Sequence, residues 1–204
     1  MKTDYENLVL AVKQNNCLPS WNDLDAVVVL QNAQKYLKLC YIMAGSISHD
    51  PRTQIGALLV GSDGQCVGSG VNALPTGLVD GETDIEDTRN SELCSTDFKY
   101  TYMEHAERNA IYSAIRSGKS CKDVVMFCPA FSCVECSRAI IQSGIRVVVG
   151  HKQNIDLISE RWRESVAIGR ELFDKAGVVY CEWDGKIPSN PPITIQYNGT
   201  DFQP

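Results

Sequence analysis

The sequence predicts an α/β fold with helices on both faces of a buried sheet, and three observations support this. From residue 104 onward, segments with helical periodicity alternate with short apolar segments of strand length, which is the pattern of βαβ units. Some of these strands, such as residues 146–149, are almost continuously apolar, as expected where both faces of a sheet are covered. Before the alternation, two apolar segments separated by a Gly-Ser-Asp-Gly turn predict a β-hairpin.

The first predicted element is a helix at Leu24–Ala44, which follows an amphipathic lead-in over residues 1–23. Its apolar residues recur at helical spacing, so we expect the helix to cover one face of the sheet. The sequence Gly45-Ser46, followed by His49-Asp50-Pro51, predicts its end, because proline holds the preceding residue in an extended conformation.

The hairpin comes next, with strands predicted at Ile55–Val60 and Cys66–Val71. After it, Leu78–Asp97 contains seven acidic residues and one basic residue, Arg89, and is predicted to be a surface loop because it has no periodicity. This segment accounts for the whole net charge of −6. Because phosphate neutralisation supplies most of the affinity for polynucleotides, the lack of a basic excess favours a small-molecule substrate over DNA or RNA.

The second half of the chain predicts alternating helices and strands, followed by a proline-rich tail. The tail contains one possible edge strand at residues 193–195. We therefore expect a main domain at residues 24–184 and a tail at residues 185–204. The predicted helices are Glu104–Ser117, Val134–Ser143 and Ser159–Ala176, and the predicted strands are Val124–Cys128, Ile145–Val149 and Val178–Cys181.

The nine cysteines favour a reducing compartment. Their number is odd, they are spread from Cys17 to Cys181, and the first residues lack the basic and apolar regions of a signal peptide. A transmembrane helix needs about 20 consecutive apolar residues, and no segment approaches that length. We therefore expect a cytoplasmic protein with no membrane role.

A possible metal site is formed by His105 and by the sequence Cys133-Val134-Glu135-Cys136, each placed where a helix is predicted to begin. Two cysteines three positions apart lie on one side of a helical turn and can bind one ion. The positive end of the helix dipole favours the thiolate, which is the form that binds zinc. Structural zinc sites normally have four protein ligands, whereas catalytic sites have three and leave one position for water. Three ligands therefore predict a catalytic Zn²⁺ site.

Glu107, two residues after His105, is placed to act as a proton shuttle beside the metal rather than as a ligand. A His-x-Glu sequence followed by Cys-x-x-Cys is typical of zinc nucleobase deaminases. Taken alone, the Cys-x-x-Cys sequence could be two buried cysteines or a redox pair, and a single histidine is usually structural. The joint pattern favours the metal site over these alternatives.

With these motifs, the chain resembles the deoxycytidylate deaminase branch of the cytidine deaminase superfamily over roughly residues 35–182. The residues that carry the resemblance are His105 to Ile111, Cys133 to Cys136, residues 48–57 (Ser-His-Asp-Pro-Arg-Thr-Gln-Ile-Gly-Ala), residues 70–75 (Gly-Val-Asn-Ala-Leu-Pro) and residues 140–145 (Ile-Ile-Gln-Ser-Gly-Ile). The resemblance implies a cytidine-deaminase-like three-layer α/β/α fold with a five-stranded mixed sheet. It also implies hydrolytic deamination of a cytosine nucleotide, with dCMP favoured, Zn²⁺ as the cofactor and a homo-oligomeric protein.

The resemblance also suggests residues that contact the substrate. Asn72 is expected to hydrogen-bond the sugar, although an asparagine after a strand is also a common turn residue. Ala106 is expected to present its backbone groups to the base. Arg52 and Arg116 are candidates for a substrate phosphate, and the alternative for each is a solvated surface arginine. Phe131 is a candidate for stacking on the base, and the alternative is a core position.

One departure from the family pattern is Ser132, which stands where the family usually has proline before the first cysteine. Ser132 is expected to begin the following helix as its N-cap, so the departure does not threaten metal binding. The loop Ala130–Ser132 is expected to border the substrate, so its unusual sequence leaves the exact identity of the substrate open.

Alternative functions are deamination of another aminated heterocycle or of a nucleic-acid base, and a catalytically silent zinc-binding interaction domain. Glu107 argues against the silent domain, which has no need of an acid beside an open metal site.

Overall fold

Five strands form a mixed sheet in the order β2-β1-β3-β4-β5 in the computed structural model, which describes residues 29–78 and 101–204. β1 pairs antiparallel with β2 and β3, whereas β3, β4 and β5 run parallel to one another. The α/β class, the hairpin and the five-stranded mixed sheet are therefore confirmed. The strands are Gly56–Val60 (β1), Cys66–Val71 (β2), Val125–Phe127 (β3), Val147–His151 (β4) and Val179–Trp183 (β5).

Helices cover both faces of the sheet and give the predicted three layers. One face is covered by α1 (Ala33–Ile47), whose buried side chains join the core of that face. The opposite face is covered by three helices, α2 (Ala106–Arg116), α3 (Val134–Gln142) and α5 (Glu160–Ala176). A short helix, α4 (Lys152–Ile155), follows β4, and a 3₁₀ turn, Thr76–Leu78, follows β2.

The strands contribute side chains to both cores, as their apolar sequences predict. Leu58 and Val60 of β1 lie in the core beside α1, whereas Ala57 and Leu59 lie in the core beside α2. This alternation follows from the two-residue period of a strand. All five residues of β1 are buried, and all five of β4 are as well.

The first helix extends further than the sequence predicts. It continues through Gly45 and Ser46 and ends at Ile47, where the N–H of Ser48 bonds the carbonyl of Ala44. Pro51 restricts the backbone conformation only of the residue before it, Asp50, which already lies beyond the helix. A Cβ atom at Gly45 would lie 3.3 Å from the carbonyl oxygen of Thr194, so this glycine serves close packing rather than helix termination.

The tail also differs from its prediction. An edge strand at residues 193–195 is wrong, because β6 (Ile195–Tyr197) pairs with β7 (Thr200–Phe202) in a separate two-stranded sheet. Ile195 is 1% exposed and packs in the core beside α1. The apolar residue that predicted an edge strand therefore anchors a hairpin against the first helix.

Two glycines of β2 allow α2 to lie directly against the hairpin. A Cβ atom at Gly70 would lie 2.4 Å from the backbone nitrogen of Ala110 and 2.6 Å from the carbonyl oxygen of Ala106. A Cβ atom at Gly68 would lie 2.5 Å from the carbonyl oxygen of Ala110. Since no larger side chain fits, these glycines fix the first turn of α2, and with it Glu107, close to the end of β2.

Several predictions fall on residues 1–28 and 79–100, which lie outside the described residues. They are the lead-in, the start of the first predicted helix and nearly all of the acidic loop. Among the described residues, no helix has the length and apolar character needed to cross a bilayer.

Candidate active site

The starts of two helices bring the predicted metal-binding residues together. His105 is the N-cap of α2 and Cys133 is the N-cap of α3, and both have extended backbone conformations. Glu104 is held in place before α2 by two backbone hydrogen bonds with Ala73, at 2.8 and 3.1 Å. The segment that leads into α2 is thereby fixed to the segment that follows β2.

The three donor atoms have a spacing that suits zinc. Nδ1 of His105 lies 3.5 Å from Sγ of Cys133 and 3.5 Å from Sγ of Cys136. All three donor atoms lie within 4.8 Å of one another. A tetrahedral ion about 2.3 Å from sulfur and about 2.1 Å from nitrogen would separate these two donors by roughly 3.5 Å. The donor set, two thiols and one imidazole, therefore fits Zn²⁺.

The two thiols differ in their affinity for a proton. A hydrogen bond from Cys136, supported by His105, lowers the pKa of Cys133 to about 3. The same hydrogen bond, together with burial, raises the pKa of Cys136. Cys133 is therefore already a thiolate at neutral pH, which is the form that binds a metal.

Glu107 lies in the first turn of α2 and lines the same cavity as His105 and Cys133. Its side chain is 5% exposed. Burial raises the pKa of its carboxyl group, and the neighbouring charge of His105 opposes this shift. A buried carboxyl group with a raised pKa beside a possible metal site can accept and return a proton.

Arg108 connects the metal-binding residues to Glu104. Its Nη1 atom donates a hydrogen bond to Sγ of Cys136 at 3.4 Å, and its Nε atom donates to Oε1 of Glu104 at 2.6 Å. A second guanidinium nitrogen forms an ion pair with the same carboxylate. The guanidinium is therefore held in a fixed position, with part of its charge directed at a thiol.

A cavity of about 340 Å³ opens beside these groups. Trp162 of α5 forms one wall, and its ring meets the imidazole of His105 edge-on, with centroids 5.6 Å apart. The volume lies within the usual range for small-molecule sites, roughly 300–1,000 Å³. The other polar lining residues are Asp50, Arg52, Thr53, Asn72, Ser159, Arg161, Tyr197 and Asn198.

Asn72 lines the cavity, and its side-chain amide is fully engaged. Oδ1 accepts hydrogen bonds from Ser48 Oγ at 2.7 Å and from the N–H of Ile55 at 2.8 Å. Nδ2 donates to Asp50 Oδ2 at 3.1 Å and to the carbonyl of Thr53. Asn72 therefore organises the loop before β1. A contact with a sugar stays a prediction, and it would have to replace one of these four hydrogen bonds.

The other predicted contact residues fall into two groups. Arg52, Ala106 and Phe131 line the cavity. Phe131 is also packed between Tyr180, with ring centroids 4.2 Å apart, and the guanidinium of Arg170, 4.3 Å above its ring. Phe131 therefore packs among core side chains and also reaches the cavity, and stacking on the base stays a prediction.

Arg116 and Ser132 do not line the cavity. Arg116 is exposed in the last turn of α2, and ten residues of helix, about 15 Å, separate it from Ala106. The prediction that Ser132 caps α3 is wrong, because the N-cap is Cys133. The N–H of Val134 instead donates to Ser165 Oγ of α5, at 3.0 Å. A side chain from another helix therefore satisfies the N-terminus of α3, a role that the sequence predicted for Ser132.

Residues 30–152 match the family model described as "Cytidine and deoxycytidylate deaminase zinc-binding region". The chain belongs to this deaminase family. Deoxycytidylate deaminases from Pongo abelii and Homo sapiens are each 31% identical to it over 172 residues, which cover 83% of this chain and 88% of each relative. Family membership confirms a hydrolytic deaminase with zinc as its cofactor.

A solved structure supports the fold of this family member. The dCMP deaminase of cyanophage S-TIM5, in complex with dCMP and dUMP, has a TM-score of 0.53 and is 23% identical. The aligned region covers 73% of this chain and 94% of the phage protein. The cytidine-deaminase-like architecture predicted from the sequence is therefore confirmed.

Several cavity-lining residues of this deaminase could not be predicted from the sequence, among them Trp162, Tyr197 and Asn198. Trp162 lies within the predicted helix Ser159–Ala176, and nothing in its spacing distinguishes a cavity wall from a core position. Tyr197 and Asn198 lie in the tail, for which no function was predicted. The Asn198-Gly199 pair is a common hairpin turn sequence and could have indicated the β6–β7 hairpin.

Proposed function

We propose that this family member deaminates dCMP to dUMP and ammonia, with His105, Cys133 and Cys136 as the zinc ligands and Glu107 as the proton shuttle. The observation that carries the proposal is a cluster of three zinc donors, two of which, His105 and Cys133, line the same cavity as the buried carboxyl group of Glu107. The choice of dCMP is supported by the relatives named as deoxycytidylate deaminases and by the phage enzyme in complex with dCMP and dUMP.

Zinc held by these residues supplies a Lewis acid that makes water a nucleophile near neutral pH. Glu107 accepts a proton from the attacking water and delivers it to N3 of the cytosine ring as the new bond to C4 forms. Glu107 then takes the remaining proton from the new C4 hydroxyl group and passes it to the exocyclic amine, and the C4–N4 bond breaks as ammonia leaves and the C4 carbonyl forms. The overall reaction consumes one water and releases one ammonia.

The cavity walls are suited to holding the nucleotide for this reaction. Ala106 is fully buried at the start of α2, and its small side chain lets the backbone approach the base. Arg52 also lines the cavity, on the loop organised by Asn72, and is our candidate for the phosphate. Phe131 and Trp162 provide apolar walls against which a flat ring can pack.

Ammonia release by the zinc-loaded protein tests this function. The substrate panel consists of dCMP, CMP, dCTP, deoxycytidine, cytosine, adenosine nucleotides and short single strands. We expect preferential turnover of dCMP. Turnover of another aminated heterocycle or of a single strand would contradict the proposed substrate, and no turnover of any substrate with one zinc bound would favour a silent zinc domain.

The role of Glu107 is tested by Glu107→Gln, which keeps the shape of the side chain and removes the acid. Because general acid–base catalysis contributes about 10²–10⁴-fold, we expect kcat to fall by that factor with zinc content unchanged. Glu135→Gln is the matched control, since this glutamate lies exposed on α3 in an ion pair with Arg138. Full activity in Glu107→Gln would exclude the proposed mechanism.

We also propose a cytoplasmic location. None of the seven cysteines among the described residues forms a disulfide bond, and five of them are buried. Thiols persist where glutathione and thioredoxin keep them reduced, as in the cytoplasm. Tracking a tagged protein in cells, by imaging or by fractionation, tests this proposal.

A further inference from the structure

The carboxy-terminal hairpin closes one side of the cavity, although it lies outside the residues matched by the family model. Its turn connects two loops that also line the cavity. The N–H of Gly199 donates to the carbonyl of Arg52 at 2.7 Å, and Nδ2 of Asn198 donates to the carbonyl of Leu157 at 2.8 Å. The hairpin is therefore part of the cavity wall and is fixed from both sides.

The same turn packs against the side chain of Arg52. A Cβ atom at Gly199 would lie 3.6 Å from Nε and 3.7 Å from Nη2 of this guanidinium. Further along β6, Gln196 exchanges two hydrogen bonds with Gln54, each of 2.8 Å. These contacts hold the hairpin and the loop before β1 together beside the cavity.

Tyr197 is the aromatic residue that this hairpin contributes to the cavity lining. The residue is 6% exposed and lines the cavity, and its ring packs on Phe202 with centroids 6.0 Å apart. No hydrogen bond joins its hydroxyl to the described residues, and this hydroxyl is not among the fully buried side-chain atoms without a partner, so it reaches the open cavity. Burial raises the pKa of the phenol, with a smaller contribution from Cys128, so the hydroxyl keeps its proton at neutral pH and can donate it.

We propose that Tyr197 is a substrate-binding residue, whose hydroxyl donates a hydrogen bond to a polar group of the bound cytosine nucleotide. The inference rests on the proposed function for the identity of the nucleotide. It makes the carboxy-terminal hairpin a part of the binding site rather than an appendage. It also gives a hydrogen-bond partner to a cavity hydroxyl that has none among the described residues.

The test compares Tyr197→Phe with Tyr36→Phe. Tyr36 is a matched control, because it is also 6% exposed but donates its hydroxyl to the carbonyl of Gly64, at 3.1 Å, away from the cavity lining. For Tyr197→Phe we expect KM for dCMP to rise about threefold to tenfold, the value of one neutral hydrogen bond, with kcat changed less than twofold. Its Tm should stay at the wild-type value, whereas Tyr36→Phe should lower Tm by about 2–4 °C and leave KM unchanged.

Each outcome decides the inference. A KM within twofold of wild type in Tyr197→Phe overturns it, whatever the Tm of the variant. If the wild-type protein does not deaminate dCMP at all, the proposed function fails first. The binding contact is then decided by titration calorimetry with dCMP: a threefold to tenfold weaker Kd in Tyr197→Phe supports it, and an equal Kd, or no binding to either protein, overturns it.

Discussion

Arg108 and Cys136 are joined by a hydrogen bond of 3.4 Å from the guanidinium to the sulfur, while Glu104 holds the guanidinium from the other side. Two thiolates and a neutral imidazole give a zinc site with no net charge, and a directed cation withdraws electron density from one thiolate. Groups that contact metal ligands in this way typically change metal affinity or activity by about 10–100-fold when removed.

We therefore expect Arg108→Ala to weaken zinc binding by about 10–100-fold, as measured by competition with a chelator. Arg138→Ala is the control, because Arg138 forms an exposed ion pair with Glu135 on α3, and such pairs contribute at most about 1 kcal/mol. Equal zinc affinity in both variants would show that the contact with Cys136 has no effect on the metal.

Removing a zinc donor should remove both the metal and the activity. We expect Cys133→Ser to lose bound zinc, as measured by metal analysis of the purified protein, because a hydroxyl group does not ionise to replace a thiolate at neutral pH. Cys66→Ser should keep one zinc per chain, since Cys66 is an exposed thiol on β2. Stoichiometric zinc in Cys133→Ser would contradict the assigned ligand set.

The contact between α3 and α5 depends on Gly169. A Cβ atom there would lie 2.7 Å from Ser137 Oγ and 2.9 Å from the carbonyl oxygen of Ser132, and the second of these is backbone that cannot rotate away. We expect Gly169→Ala to destabilise the protein by about 1–3 kcal/mol through overpacking, measured by urea unfolding.

Gly77→Ala is the matched control for this prediction. Among residues 29–78 and 101–204, no atom would lie within 4 Å of a Cβ atom at Gly77, so the substitution should change the free energy of unfolding by no more than about 0.5 kcal/mol. A similar, small effect at both positions would mean that α5 can move away from α3 without cost.

The stability of the protein should depend on the protonation of His151. This residue is fully buried, with Nδ1 accepting from the hydroxyl of Tyr41 at 2.7 Å and Nε2 donating to the carbonyl of Gly185 at 2.9 Å. Burial lowers its pKa, and the Gly185 hydrogen bond and the charge of Asp184 only partly oppose this. The folded state therefore favours neutral His151, and the unfolded state binds more protons as the pH falls.

The contribution of His151 to the free energy of unfolding is therefore present above the pKa of the unfolded state, about 6.5, and is lost as the pH falls below that value. The free energy of unfolding, measured between pH 7.5 and pH 5.5, should fall less steeply in His151→Gln, which cannot titrate, than in the wild type. The variant should also be less stable at pH 7.5, because it loses the hydrogen bonds that the imidazole forms with Tyr41 and Gly185. Identical slopes would show that His151 keeps its usual pKa in the folded protein.

Most elements of the fold and the metal-binding residues could be predicted because their signals are local. Apolar periodicity within a few residues distinguished β1 from α2, and helix starts at His105 and Cys133 follow from the surrounding pattern. The Cys-x-x-Cys spacing places two thiols on one helical turn regardless of the remainder of the fold. The sequence could therefore indicate the zinc chemistry and the α/β class by itself.

Only the tertiary structure decided which distant segments complete the site. Gln54 and Gln196 are 142 positions apart, and their contact brings the tail to the cavity. In the same way, Ser165 rather than Ser132 meets the first N–H of α3, and Arg116 lies on an exposed helix end away from the cavity. Such contacts depend on how the two cores pack as a whole, and no short stretch of sequence contains that information.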